Sequence, residues 1–463
     1  MSALRLPPAR AVMRPADVTL AVRRGRPPAR NEILRAGRLG GLAAEELARQ
    51  FGTPLYVYDL DVVDRQVTAL RASLPSFVDV AYAVKANPSL AVVAHLGALG
   101  LGADVASAGE LVTALRAGIP AGGIVMTGPG KRDDELAASI EARIRAITVE
   151  SPGELERLDR AAMFLARRRV PILLRAAVTE DARLERVRLV GDDGAGKFGM
   201  DAGDLVTAAR RAASSPRLEL LGVHAFGASN VLDAAALIEH AAATASLARE
   251  LALAAGTRVR LVDAGGGLGI PYELHEDSLD LGRLGRGLDE LARGWADDPI
   301  MAGARLLLEP GRFLVGSAGA YLARVVDTKT VDGTSVVILD GGVHHVLRPA
   351  LVGQEHRIRA VGSRSDGSSV PAPGATKSWP VTVAGPLCSG LDVFSQHAVM
   401  PVPEVGDLLA VLDVGAYGFT ESMPLFLSHP MAAEVAIRGG RAAVVRPRME
   451  PAEWLDRQQL PDW

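Results

Sequence analysis

Eight short apolar runs, each followed by a helix-like segment, constrain this chain more than any other feature. They are "VDVAYAV" (78–84), "LGADVAS" (101–107), "GIVMTG" (123–128), "IRAITVE" (144–150), "VPILLRA" (170–176), "LELLGVHA" (218–225), "RVRLVDAG" (258–265) and "ARLLLEPG" (304–311). Segments rich in Ala, Leu, Arg and Glu lie between them, such as "AGELVTALRAG" and "SPGELERLDRAAMFLARRR". Continuous Val, Ile and Leu in short runs reads as strands buried on both faces, which is the environment of a parallel sheet. Eight such βα units is the count for a (β/α)8 TIM barrel, and the α/β class follows from the alternation. An open doubly wound sheet has the same alternation, so the count by itself does not establish closure.

The rhythm changes near residue 315. "GAYLARVVDTKTV", "TSVVILDGG", "KSWPVTVAGPLC", "DLLAVLDVGAYG", "AAEVAIRGG" and "RAAVVRP" read as strands joined by Gly and Pro turns, with no long helix between them. The expected organisation is therefore a barrel over 76–312 and an all-β, sandwich- or barrel-like domain over 313–463. Residues 37–75 are expected to lend the strand "PLYVYD" to the second domain, followed by a helix over 62–74. Residues 1–36, with "RLPPAR" and "RRGRPPAR", read as a basic disordered leader, and 364–378 as a Gly/Ser/Pro loop.

Bulk composition narrows the partners. The 463 residues include 48% apolar side chains, enough for sizeable cores, and only 4% aromatics. The net charge of −3 with few aromatics argues against a nucleic-acid or membrane surface as the main partner. The one cysteine, Cys388, rules out a disulfide within the chain and fits a reducing, cytoplasmic setting. No apolar run has the length of a membrane span, and no signal-peptide core stands at the N-terminus.

Polar chemistry gathers where the strands end, which in a barrel is the active face. The run ending in "YAVKANP" closes on Lys85, the side chain most costly to bury. Either Lys85 reaches to solvent, or it is held at the barrel mouth for carbonyl chemistry. Strand two ends with Asp104, Ser107 and Glu110; strand five with Arg175; strand six with His224, Phe226 and Ser229. "DAGGGLG" follows strand seven, where barrel phosphate sites form, and its glycines let backbone N–H groups approach an anion. "EPGR" follows strand eight: Glu309 is a candidate partner for a protonated ring nitrogen, and Arg312 for an anion. A lysine, an anion cradle and a carboxylate aimed at a ring suggest pyridoxal 5'-phosphate, whose ring serves as an electron sink. No metal set stands out.

The motifs "YAVKANP", "GADVASAGEL", "GPGKRDDEL", "KFG", "DAGGGLGIPY", "EPGR", "GPLCSGLDVF" and "DVGAYGF" occur in order over about residues 50–440. In this the chain resembles the fold-type III pyridoxal-phosphate decarboxylases, the family of diaminopimelate and ornithine decarboxylases. The resemblance implies a barrel plus β-domain, a homodimer with active sites at the subunit interface, and decarboxylation of an amino acid. It implies Lys85 as the Schiff-base lysine and Glu309 at the pyridine nitrogen. Gly265, Gly266 and Gly267 would hold the cofactor's phosphate, and Gly311 and Ser229 would also bind the cofactor. Arg312 would bind phosphate or a substrate carboxylate, and Tyr417 would close over the cofactor. Cys388, from the partner subunit, would protonate the carbanion left when carbon dioxide departs. Ser389, Asp392 and Arg348 fall at substrate positions.

Three departures bear on the substrate. The acid that usually follows the family cysteine, and pairs with a distal ammonium, is here Ser389. "RPALV" ends in Val352 where diaminopimelate decarboxylases have tyrosine. "HAFGASN" puts Phe226 at the place of the stacking histidine, with His224 two residues earlier, so either ring is a candidate to stack. "FLSHP" (426–430) replaces an asparagine-rich segment. These features are similar to a divergent branch that includes exosortase-associated decarboxylases and enzymes acting on aminoacyl groups tethered to an acyl-carrier protein. The expected reaction is decarboxylation of an α-amino acid, free or carrier-bound. Alternatives are a diaminopimelate decarboxylase, a fold-type III racemase, and a non-catalytic decarboxylase-like regulator.

Overall fold

Each of the eight apolar runs forms a strand in the computed structural model, which describes residues 33–177, 196–273, 275–361 and 378–462. The strands are Val78–Ala83, Gly102–Val105, Ile124–Met126, Ala146–Val149, Val170–Arg175, Leu218–His224, Leu261–Asp263 and Arg305–Leu308. All pair in parallel, and they close: Leu306, Leu307 and Leu308 lie against Val78, Asp79 and Val80. Closure decides for the TIM barrel over the open sheet. Ala81, Val125, Ala146, Leu173, Leu261 and Leu307, from six different strands, form one buried apolar cluster.

The helices begin where short polar side chains stop the strands. Ser107 Oγ accepts the Glu110 N–H (3.2 Å), Ser151 Oγ that of Glu154 (3.1 Å), and Asp280 Oδ1 that of Arg283 (2.8 Å). Each satisfies an orphan donor of a first helical turn. The N-terminal faces of the helices are thereby fixed close to the strand ends that carry the polar residues.

The chain divides into two units: 67–270 with 278–313, and 29–66 with 271–277 and 314–463. The first begins inside the helix Leu60–Ser73 rather than after it. Its second half packs with the barrel helices, so closely that a Cβ on Gly285 of Leu281–Ala296 would sit 1.8 Å from the Ser73 carbonyl oxygen.

The second unit is built on one mixed sheet. Leu55–Asp59, upstream of the barrel in sequence, lies antiparallel to Gly319–Val331 and parallel to Ala433–Arg438. Gly319–Val331 also pairs with Thr334–Leu339 and Leu408–Leu412. Its thirteen residues therefore organise most of the domain. Ile33 is already buried in this unit's core with Leu39, Leu47, Leu55 and Val57. Residues 1–32 of the expected leader and 364–377 of the expected loop lie outside the described residues. Among the described residues no helix is long and apolar enough to cross a membrane.

Candidate active site

The first barrel strand hands over to a tight turn, Val84–Ala86, with Lys85 at its centre. The lysine side chain is part exposed but its amine is held: Nζ lies 3.2 Å from Asp104 Oδ2 at the end of strand two. Asp104 is 1% exposed and also accepts from Thr127 Oγ1 at 2.6 Å. Burial, reinforced by the charge of Glu309, pushes the Asp104 carboxyl up against the opposing pull of Lys85. The exit of strand eight packs against the lysine turn. A Cβ on Gly311 would come within 2.7 Å of Ala86 Cβ and 3.3 Å of the Ala83 carbonyl oxygen.

Strands six, seven and eight deliver His224, Asp263 and Glu309 to one buried spot, with ligand atoms within 4.8 Å of one another. His224 Nε2 stands 3.4 Å from Glu309 Oε2. Burial and the Glu309 charge push the Asp263 carboxyl well above the usual carboxylate range. Burial opposes ionisation of Glu309 too, but the hydrogen bond and charge of His224, with the charge of Lys85, hold its carboxyl below that range. Two buried carboxyls thus lie side by side with their acidities shifted in opposite directions. Glu309 Oε1 is buried with no donor from the protein. Asp263 was not among the sequence candidates. Its only signal was an acid at a strand end ahead of a glycine run.

The glycine loop starts from Asp263, whose Oδ1 accepts the Gly265 N–H at 2.9 Å. Gly266 is required by crowding: a Cβ there would sit 2.5 Å from the Glu309 carbonyl oxygen. Gly267 is required by both φ (+90°) and an approach of 2.8 Å to the Ala228 carbonyl oxygen. Arg312 is 4% exposed, and its Nη2 donates to Ser229 Oγ at 3.1 Å. Phe226 lies against the loop, with Cδ2 3.1 Å from where a Gly265 Cβ would be. His224, by contrast, is buried and turned to Glu309. The barrel unit thus brings together Lys85, His224, Phe226, Ser229, Gly265, Gly266, Gly267, Glu309, Gly311 and Arg312.

The remaining candidates belong to the second unit. Cys388 is an exposed free thiol, followed by the uncharged Ser389. Asp392 was expected at a substrate position. It is 2% exposed, and its carboxylate oxygens accept the N–H groups of Val343 and Leu387, each at 2.7 Å. It faces inward and ties the cysteine loop to the loop over 341–345. Arg348 is buried and paired with Glu421 at 2.8 Å, beneath the Tyr417 ring.

His344 sits in that 341–345 loop, fully buried with neither ring nitrogen hydrogen-bonded. Burial, then the nearby His429, lowers its pKa to about 4. An unfolded histidine titrates near about 6.5. The folded chain therefore takes up fewer protons than the unfolded chain between these values, and stability falls as pH drops through that window. The full effect is on the order of 3 kcal/mol. Urea midpoints measured from pH 7 to 4.5 should fall, and His344→Gln should flatten the slope. His345, lowered by burial and by His344, keeps a residual slope of the same sign.

A parallel barrel with a lysine after strand one, a glycine cradle after strand seven and a buried, donor-seeking glutamate after strand eight fits pyridoxal phosphate chemically. An amine, an anion site and a carboxylate for a protonated ring nitrogen are all present. Together with the β-domain this is the architecture of a pyridoxal-phosphate-dependent carboxy-lyase acting on amino acids. Residues 60–316 match the family described as pyridoxal-dependent decarboxylase, pyridoxal binding domain, and the chain belongs to that family. It is 32% identical to a diaminopimelate decarboxylase of Zymomonas mobilis, over 90% of this chain and 95% of that one. It is 30% identical to an L-glutamyl-[BtrI acyl-carrier protein] decarboxylase of Niallia circulans, over 86% and 92%. Among solved structures, diaminopimelate decarboxylase from M. jannaschii in complex with L-lysine aligns with a TM-score of 0.83. The two are 29% identical over 91% of this chain and 96% of that one.

Proposed function

We propose that the chain decarboxylates an α-amino acid whose distal end carries no ammonium group, free or joined to an acyl-carrier protein. The observation that carries this is the cysteine loop. Ser389 has no charge, and Asp392, the acid of the same loop, has both carboxylate oxygens on backbone N–H groups. A distal ammonium meeting this loop would lose water without gaining a counter-charge, at a cost of about 1–3 kcal/mol or more. The similarity to the Niallia circulans enzyme, whose name specifies a carrier-bound glutamyl group, agrees with such a substrate.

When bound, pyridoxal phosphate supplies the electron sink that lets the carbon–carboxylate bond break. The chain's own residues do the rest. Lys85 holds the cofactor covalently, with Asp104 fixing the amine at the barrel mouth. Glu309 keeps the ring nitrogen protonated, and His224 fixes the orientation of Glu309. The glycine loop, Ser229 and Arg312 hold the phosphate. Phe226 offers an apolar face to the ring while His224 is engaged elsewhere. Cys388, an exposed thiol contributed by a second copy in a homodimer, delivers a proton to the carbon that has lost its carboxylate.

Carbon dioxide release by the cofactor-loaded enzyme tests the substrate class. Free diaminopimelate, ornithine, lysine and arginine should turn over poorly, and a carrier-tethered aminoacyl group or an amino acid with a neutral distal end should turn over well. Brisk turnover of any of these four free amino acids, each with a distal cation, would sink the proposal. Diaminopimelate is the sharpest of these, because several relatives carry that activity in their names.

A further inference from the structure

Arg348 opens the short helix Arg348–Val352 and is 2% exposed. Its Nη1 donates to both oxygens of Glu421, at 2.8 and 3.1 Å. Its guanidinium carbon lies 5.0 Å from the centre of the Tyr417 ring, and Tyr417 has a left-handed φ of 53°. The turn bearing the acid is fastened to the helix bearing the base by contacts other than the ion pair. Ser422 Oγ donates to the Gly418 carbonyl oxygen (2.8 Å) and accepts the N–H of Leu347 (3.0 Å), the residue before Arg348. The hydroxyl of the neighbouring Ser422 thus holds the Glu421 turn beside the guanidinium.

Read from sequence, Arg348 was a candidate to hold a substrate carboxylate. A guanidinium already sharing a carboxylate presents little net charge, and a second carboxylate brought to it would meet the first. We propose that Glu421 is a specificity-determining residue: by neutralising Arg348 it selects against amino acids with a distal carboxylate. Glu421 is reached by Nη1 alone, so Arg348 keeps further N–H donors: Nε, buried with no hydrogen-bond acceptor, and the two of Nη2. An uncharged carbonyl oxygen can accept from Nη2 without adding charge. Ser389 disfavours a distal cation and the Arg348–Glu421 pair disfavours a distal anion. The distal group that satisfies both is a neutral carbonyl, as in an amide, ester or thioester. This rests on the decarboxylase reading above, in which Arg348 lies at a substrate position.

L-Glutamate and L-glutamine differ only in that distal charge, and their binding is read from the visible absorption of the cofactor-loaded enzyme on mixing. Wild type should bind glutamine at least about tenfold more tightly than glutamate. Glu421→Gln keeps the shape and frees the Arg348 charge. It should tighten glutamate binding by about 10- to 100-fold, the effect of a charge-assisted hydrogen bond, and change glutamine binding by less than about threefold on the same scale. A glutamate-to-glutamine ratio unmoved in a variant with wild-type melting temperature and cofactor content would overturn the proposal. So would wild type binding glutamate as tightly as glutamine, which needs no variant. Turnover of diaminopimelate or ornithine would defeat the substrate class instead, and is read in a separate assay.

Discussion

Lys85→Ala should remove the covalent hold on pyridoxal phosphate and with it nearly all turnover. Borohydride treatment of the cofactor-loaded wild type should leave a pyridoxyl group on the peptide containing Lys85; the variant's peptide should carry none. Loss of turnover should reach at least about 10²–10⁴-fold, no less than the contribution of one positioned catalytic group, since the covalent anchor of the electron sink is lost. The fold should survive, because the Lys85 side chain is 44% exposed. The variant also leaves Asp104 without its cation. That buried carboxyl, already pushed up by burial and by Glu309, should then hold a proton more firmly. A wild-type peptide without label would remove the basis of the whole functional account.

Gly266→Ala should weaken cofactor binding without touching any charged group. The added methyl would stand 2.5 Å from the Glu309 carbonyl oxygen, and that atom is backbone, so the loop and the strand-eight exit must separate. Overpacking of this kind costs about 1–3 kcal/mol, which is roughly 5- to 150-fold in the dissociation constant if it falls on the bound state. Titration of the apo-enzyme with pyridoxal phosphate reads it directly. Gly122→Ala is the control: nothing lies within 4 Å of its Cβ position, so affinity and melting temperature should stay at wild-type values. Equal affinity for Gly266→Ala and wild type would mean that the loop over 265–267 does not hold the phosphate.

The lysine, the glycine loop and the glutamate were visible in sequence because each sits at a strand end, and strand ends are marked locally. An apolar run stops, a helix cap or glycine follows, and the residue at the junction is exposed to the barrel mouth. What stayed hidden were pairings across long stretches of chain. Asp104 meets Lys85 across 19 residues, and Arg348 meets Glu421 across 73. Asp392 reaches the Val343 N–H across 49. The last two change the meaning of residues already singled out. A carboxylate that looked available for a ligand is committed to two backbone groups, and an arginine that looked like an anion receptor is already neutralised. His344 offered no sequence signal either, since nothing local distinguishes a buried neutral imidazole from an exposed one.

The order of apolar runs and turns was enough to specify the number of strands, their alternation with helices and the end at which chemistry collects. These depend on side-chain period and on local stop signals, which act over a few residues. Closure of the eighth strand onto the first, the opposite shifts of Asp263 and Glu309 and the pairing of Arg348 with Glu421 depend on which groups meet after burial. Water is excluded there, and a charge is strengthened or cancelled by whichever neighbour the fold has brought within a few ångströms.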